Sequence, residues 1–382
     1  MNLGFYMPTK VIVGKDCVRE NSDVFKIGKK ALIVTGKKSA KLSGALDDVK
    51  YALEKNNIEY VIFDKVMSNP TVECVYDGAE TAMEEEVDFV IAIGGGSPMD
   101  AAKAAAALLV RPNRSLSSLA GLLKVRRRIP PFIAVPTTAG TGSETTIAAV
   151  ITGRDHRKYA VSDLCLIPRY AILDPTLSAG LPPHITAETG MDALTHAVEA
   201  YLSRFYNTRK TREQAERAVV TIFSHLERAY RDGASLPDRA AMLQASFDAG
   251  AAFTRASVGN VHAIAHTLGG LYGTAHGLAN AVLLPIVLED YGAAAYPRLA
   301  RLAHLVGIQE ASAEASARAF IAEIRAMNAR MGIPDHFDCI RSEDIPLMAS
   351  WACREANPVY PVPVIYDQAR FARVIERSRA EP

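Results

Sequence analysis

The sequence predicts an N-terminal α/β domain built on a parallel sheet, followed by an all-α C-terminal domain. Three observations carry this. Strand-like and helix-like segments alternate through roughly the first 180 residues. Glycine-rich turns follow two of the strand candidates, at 94–97 and 139–142. Past Leu181-Pro182-Pro183 the strand candidates stop and alanine-rich helical segments take over. Parallel strands need long crossovers, usually helical, so strict alternation points to a parallel sheet covered by helices. A chain of 382 residues also exceeds one compact core, and the expected domains are 1–180 and 181–382.

The elements follow in order. Lys30–Thr35 is a short apolar run of strand length, closed by Gly36, and a helix-like stretch extends from Ser39 to about Asn56. Glu59–Phe63 is the next strand, Thr71–Glu86 the next helix, and Asp88–Ile93 a strand that ends in Gly94-Gly95-Gly96-Ser97. Pro98–Val110 is an alanine-rich helix with proline in its first turn, where a missing N–H costs nothing. Pro131–Val135 is a further strand. The helical half comprises Ala187–Ser203, Thr211–Arg231, Arg239–Arg255, Val261–Tyr272, Tyr296–Leu305 and Ser312–Met331.

Composition excludes several classes. Apolar content is 49%, charged content 22% and net charge +1, ordinary for a soluble protein and too balanced to draw in nucleic acid. Arg126-Arg127-Arg128 reads as solvated charge, with no basic stripe or interleaved aromatics around it. The five cysteines are odd in number and form no CxxC pair, which argues against a disulfide framework or a thiolate metal site. Met1–Pro8 lacks a signal-peptide pattern, and no run approaches eighteen apolar residues. A cytoplasmic protein without nucleic-acid or membrane partners is expected. One shift has no account in the fold: Met1–Lys103 holds twelve lysines and one arginine, the remainder three lysines and twenty-seven arginines.

Two loops carry the first chemical signal. Gly94-Gly95-Gly96-Ser97-Pro98-Met99-Asp100 joins a strand to a helix. Glycines let backbone N–H groups approach a pyrophosphate, and a helix N-terminus adds partial positive charge. The second loop, Pro136-Thr137-Thr138-Ala139-Gly140-Thr141-Gly142-Ser143-Glu144, gathers hydroxyls and glycines after another strand. Both suit phosphate and ribose contacts.

The second signal is an aspartate with several histidines. Asp192 and His196 stand at i and i+4 in an apolar helical run, so both project from one face. His262 and His266 repeat that spacing, and His276 follows. Such groups on facing helices can converge on a divalent cation, and spacing alone favours His262 paired with His266.

These residues resemble the iron-containing (group III) alcohol dehydrogenases. The resemblance spans nearly the whole chain: Gly94–Lys103, Pro136–Glu144, Gly190–His196, His262–Gly277 and Ala352–Pro358 all match family motifs in order. It implies the dehydroquinate synthase-like fold, with a dinucleotide-binding domain before the helical one. It implies Asp192, His196, His262 and His276 as metal ligands, and moves His266 beside the site as a proton relay. It implies a homo-oligomer, dimers being common. Gly36, Lys37, Gly94, Gly95, Gly96, Ser97, Asp100, Thr137, Thr138, Thr141 and Lys158 become the cofactor-binding set.

The implied reaction is hydride transfer between NAD(P)(H) and a small primary alcohol or diol and its aldehyde, assisted by a cation. Fe²⁺ is expected, with Zn²⁺ second, since mixed N/O ligation suits both. In many NAD-preferring members an acidic residue follows the first strand; here Gly36, Lys37 and Lys38 stand there, which favours NADP(H). Two enzyme alternatives are a metal-independent, maleylacetate reductase-like enzyme and a zinc-dependent, glycerol dehydrogenase-like one. A structural relative with vestigial catalysis is the remote third.

Overall fold

A computed structural model describes residues 10–380; Met1–Pro8, read above for a leader, lies outside the described residues. Among the described residues nine strands form two sheets, both within the part of the chain before residue 174. They are β1 (Lys10–Val13), β2 (Lys30–Gly36), β3 (Glu59–Val66), β4 (Phe89–Gly94), β5 (Gly121–Leu122), β6 (Phe132–Pro136), β7 (Ala148–Thr152), β8 (Lys158–Ser162) and β9 (Tyr170–Leu173).

The main sheet is six-stranded and parallel, in the order β1-β9-β6-β4-β2-β3. Its central strands β4 and β6 are buried throughout, as strands covered on both faces must be, and its edges β1 and β3 carry exposed residues. Successive residues of β2 point to opposite faces. Ala31 and Ile33 pack with Leu46, Val49 and Leu53 on one side; Leu32 and Val34 pack with the alanine-rich helix of residues 96–110 on the other. From β2 the chain steps outward to β3, then crosses back to β4 and on to β6 and β9, so strand order reverses between β2 and β4.

Three long helices accompany this sheet: α1 (Ala45–Lys55), α2 (Val72–Glu84) and α3 (Gly96–Val110). The helix expected over 39–56 is interrupted, because Gly44 adopts φ +77° and separates a single turn at Ser39–Leu42 from α1. Thr71 caps α2 by accepting from the Cys74 N–H at 3.3 Å. Beyond the strands read from the sequence, β7 and β8 form an antiparallel hairpin that pairs Thr152 with Lys158, and β5 runs parallel to β8.

Nine further helices follow: α4 (Pro183–Leu202), α5 (Arg209–Arg231), α6 (Leu236–Ala256), α7 (Asn260–Tyr272), α8 (His276–Tyr291), α9 (Tyr296–Leu305), α10 (Ala313–Arg330), α11 (Ile345–Ala356) and α12 (Gln368–Arg377). The helix α8 was not read from the sequence, and Pro285 inside it interrupts the local signal. Helix α5 opens with a reciprocal Thr208–Thr211 capping box and buries Ala215, Ala218, Val219, Ile222 and Leu226 along one stripe. At Gly190 a Cβ would stand 2.2 Å from Leu226 Cδ1, so glycine there makes room for the Leu226 side chain of α5 against α4.

The chain divides into two units: residues up to Leu181 with Gly233–Phe247, and Pro182–Asp232 with the chain from Asp248 onward. The last of the three junctions, between Phe247 and Asp248, falls inside α6. Among the described residues no helix is long and apolar enough to cross a membrane.

Candidate metal centre

In the helical unit, α4 presents Asp192, His196 and Glu199 at i, i+4 and i+7, a single face. Helix α7 contributes His262 near its start and His266 one turn later. Helix α8 opens on His276 and places Asn280 one turn on. Gly277 seats that opening turn: a Cβ there would lie 2.4 Å from the Glu188 carbonyl oxygen, so α8 rests directly on the α4 backbone.

The structure brings Asp192, His196, His262 and His276 together, with one donor atom from each inside a 4.8 Å spread. Asp192, His196 and His262 are at most 4% exposed. His262 Nε2 lies 2.9 Å from His196 Nε2. Asp192 Oδ1 stands 3.6 Å from His276 Nε2 and 4.0 Å from His262 Nε2. Two imidazole nitrogens this close need a proton or a cation between them, and a carboxylate alongside favours positive charge. Three imidazoles and one carboxylate are a donor set that suits Fe²⁺ or Zn²⁺. The residues therefore fit a divalent ion.

Neighbouring groups orient the donors. Asn280 Nδ2 donates to Asp192 Oδ1 at 2.6 Å and lies 3.2 and 3.1 Å from Nε2 of His262 and His276. The His196 ring stacks on Phe253, centroids 4.2 Å apart. His262 Nδ1 donates to Glu199 Oε2 at 2.5 Å. Burial pulls the His262 pKa down, but the charge and hydrogen bond of Glu199, with Asp192 behind it, outweigh burial and the net shift is upward.

His266 is not in the four-residue group. Its ring stacks on His276 at 5.3 Å, and its Nδ1 donates to Glu355 Oε1 at 2.6 Å. The Tyr360 hydroxyl donates to that same oxygen at 2.6 Å, and burial beside the carboxylate pushes its pKa well up. The spacing-based pairing of His262 with His266 gives way to His276 because α8 begins there and aims it at Asp192. Sequence reasoning missed Glu199 and Asn280. Each lies on the same helical face as a named residue, three after His196 and four after His276, and that spacing was the available signal.

The cofactor loops belong to the α/β unit. Thr35 pairs with Ile93, and Gly94 with Pro136, so Gly36, the Gly94–Ser97 loop and the Thr137–Gly142 loop leave adjacent strands at their C-terminal ends. The β2/β4 position is the sheet's switch point, where open α/β sheets bind ligands. Gly94 has φ +142°. A Cβ on Gly95 would meet Thr138 Oγ1 at 3.0 Å and one on Gly96 would meet Thr141 Cγ2 at 2.9 Å, so the two loops close-pack through glycine. The N-terminus of α3 has no side-chain cap, and Thr137 Oγ1 is buried without a hydrogen-bond partner. A helix N-terminus without a side-chain cap and an unsatisfied hydroxyl at a switch point fit a dinucleotide phosphate.

Other candidates have internal duties. Asp100 accepts from Ser143 Oγ at 3.0 Å and from the Val150 N–H at 3.1 Å. Ser97 Oγ accepts from the Asn69 N–H at 3.3 Å, and Lys158 Nζ donates to Asn69 Oδ1 at 2.7 Å. Lys103, fully buried, donates to Ser143, Thr146 and Ala148 through five contacts of 2.6–3.1 Å and so ties the second loop to α3. Burial lowers its pKa to about 8 and raises that of buried Glu144 to about 7. Lys37 and Lys38 are exposed beside Gly36, while Lys41 pairs with Asp64 at 3.2 Å.

Comparison with known proteins gives the same picture. Residues 8–175 match the family model described as iron-containing alcohol dehydrogenase, and 186–376 the model described as Fe-containing alcohol dehydrogenase family, C-terminal. A 1,3-propanediol dehydrogenase of Klebsiella pneumoniae is 39% identical over 364 residues, 93% of this chain and 92% of that one. The lactaldehyde reductase of Escherichia coli is 36% identical over 340 residues, 86% and 88%. The solved alcohol dehydrogenase from Oenococcus oeni superposes with TM-score 0.92 at 34% identity, over 98% of this chain and 99% of that one. By sequence and by fold, the chain belongs to the iron-containing alcohol dehydrogenase family.

Proposed function

We propose that this family member interconverts small primary alcohols or diols and their aldehydes, with Asp192, His196, His262 and His276 holding Fe²⁺, and with NADP(H) preferred. The observation that carries the reading is the meeting of four donor atoms, three of them on buried residues. When bound, the ion supplies polarisation of the substrate oxygen, and the nicotinamide supplies the hydride.

The chain's own residues do the rest. Helix α3 and the loops of Gly94–Ser97 and Thr137–Thr141 bind and orient the dinucleotide. Asp100 and Lys103 brace the second loop from inside. Glu355 accepts from His266 Nδ1, which leaves His266 Nε2 to take up or release a proton as alcohol and aldehyde exchange. The relatives named above act on a diol and on lactaldehyde, which supports a short, oxygenated substrate. Gly36 offers no carboxylate to repel a 2′-phosphate, and Lys37 and Lys38 beside it are cationic. A cytoplasmic homodimer or higher homo-oligomer is part of the same proposal; the five cysteines are all free.

A panel of short aldehydes and alcohols, run with stripped protein to which Fe²⁺ or Zn²⁺ is returned, tests this. Turnover that depends on the added ion is expected. Full turnover by stripped protein would replace the reading with the metal-independent, maleylacetate reductase-like one.

A further inference from the structure

Glu199 is 5% exposed, on a stretch of α4 that is buried from Gly190 to Leu202. Three donors converge on its carboxylate. Oε2 accepts from the Gly259 N–H at 2.9 Å and from His262 Nδ1 at 2.5 Å, and Oε1 accepts from the Val261 N–H at 2.8 Å. Two of these are the opening N–H groups of α7, so Glu199 caps that helix from a distance.

Capping does not explain the charge. Helices are ordinarily capped by a neutral hydroxyl or amide, without the cost of burying an ion, and the third donor, His262 Nδ1, is no part of the cap. Space has also been cleared for it. Gly259 has an ordinary extended backbone, φ −138°, so glycine is not there for its conformation. A Cβ at that position would stand 2.7 Å from Glu199 Oε1 and 3.1 Å from its Cδ. The glycine lets the carboxylate reach α7 and, one turn along, His262.

We propose that Glu199 is a positioning residue for the metal centre. It holds His262 as the Nδ1–H tautomer, with the Nε2 lone pair turned to the other three donors, and its charge strengthens their hold on a divalent cation. The proposal rests on the metal reading given above. Glutamine cannot replace it. Its amide NH₂ must face either an N–H of α7 or His262 Nδ1. In the second case the imidazole proton moves to Nε2, the atom that would bind the ion.

The experiment titrates stripped, full-length protein with Zn²⁺ against a chromophoric chelator, and repeats the titration with Co²⁺ to follow its visible ligand-field bands. Glu199→Gln is expected to raise the dissociation constant by about 10–100-fold and to alter the Co²⁺ bands. Glu199→Asp, which keeps the charge but retreats by one methylene, is expected to fall between Glu199→Gln and wild type. Melting of the metal-free proteins registers the cap separately. A folded Glu199→Gln that melts earlier but binds Zn²⁺ as wild type does overturns the proposal and leaves Glu199 a cap. Should Glu199→Gln not fold, unchanged Zn²⁺ affinity in Glu199→Asp overturns it equally. A wild-type chain that takes up neither ion sinks the metal reading itself, and this inference with it.

Discussion

The glycine loops of the α/β unit and the histidine cluster of the helical unit reach precision by different routes. In the loops the backbone does the positioning. Gly95 and Gly96 bring two strand-ends into contact with Thr138 and Thr141, and a buried amine, Lys103, ties the second loop down from behind. In the cluster, side chains do it: a helical stripe carries Asp192, His196 and Glu199, and neighbours hold individual rings and oxygens. Backbone sites tolerate changes of side chain but not of volume. Side-chain sites tolerate little change of chemistry.

Four substitutions test that contrast, from the largest expected effect to the smallest. His262→Ala should lower turnover by at least about a thousandfold, by removing a donor to the ion. Metal content should fall with it, while binding of NADPH, followed by its fluorescence, should persist. Loss of both would mean that the two sites are not separable in this way.

Glu144→Gln probes the buried polar bracing. The folded protein keeps the Glu144 proton up to pH about 7, where the unfolded chain releases it near 4.5. The folded state therefore binds more protons in that window, and its stability falls as pH rises through it, by up to about 3 kcal/mol. Urea melts at pH 5 and pH 8 should differ less for Glu144→Gln than for wild type, with metal content unchanged. An identical pH slope in both proteins would remove Glu144 from the account.

Gly96→Val places carbon where Thr141 already sits, and should raise the KM for the dinucleotide by about 10–100-fold, roughly 1.4–2.7 kcal/mol, with metal retained. Normal KM would show that the loops can separate at no cost. Gly36→Asp should shift the ratio of NADPH to NADH efficiency toward NADH by about tenfold, about one charge-assisted contact. Its Cβ would lie 3.3 Å from the Val66 carbonyl oxygen, so a small accompanying loss of stability is expected. A ratio that favours NADH already in wild type would refute the NADP(H) preference.

The same contrast explains what could be read from the sequence. The loops were legible because a buried strand, a glycine cluster and an alanine-rich helix follow one another within about twenty residues, each with its own period. Asp192 and His196 were legible because a helix repeats its face every four residues. His276 was not, because His262 and His266 offered a competing pair at the same spacing, and because Pro285 masks the helix that His276 opens. Only family resemblance ranked His276 above His266. The β7–β8 hairpin was missed because a strand of five residues, most of them half-buried, carries too little pattern. Glu199 looked like any helical carboxylate, since burial at that depth depends on α7, some sixty residues on.

Gly277 makes the seating of one helix on another depend on a residue without a side chain. Because the first turn of α8 already touches the Glu188 carbonyl, any added methyl group would wedge His276 outward. The seating of α8 on α4, and with it the 3.6 Å between His276 Nε2 and Asp192 Oδ1, therefore depends on that one missing methyl group.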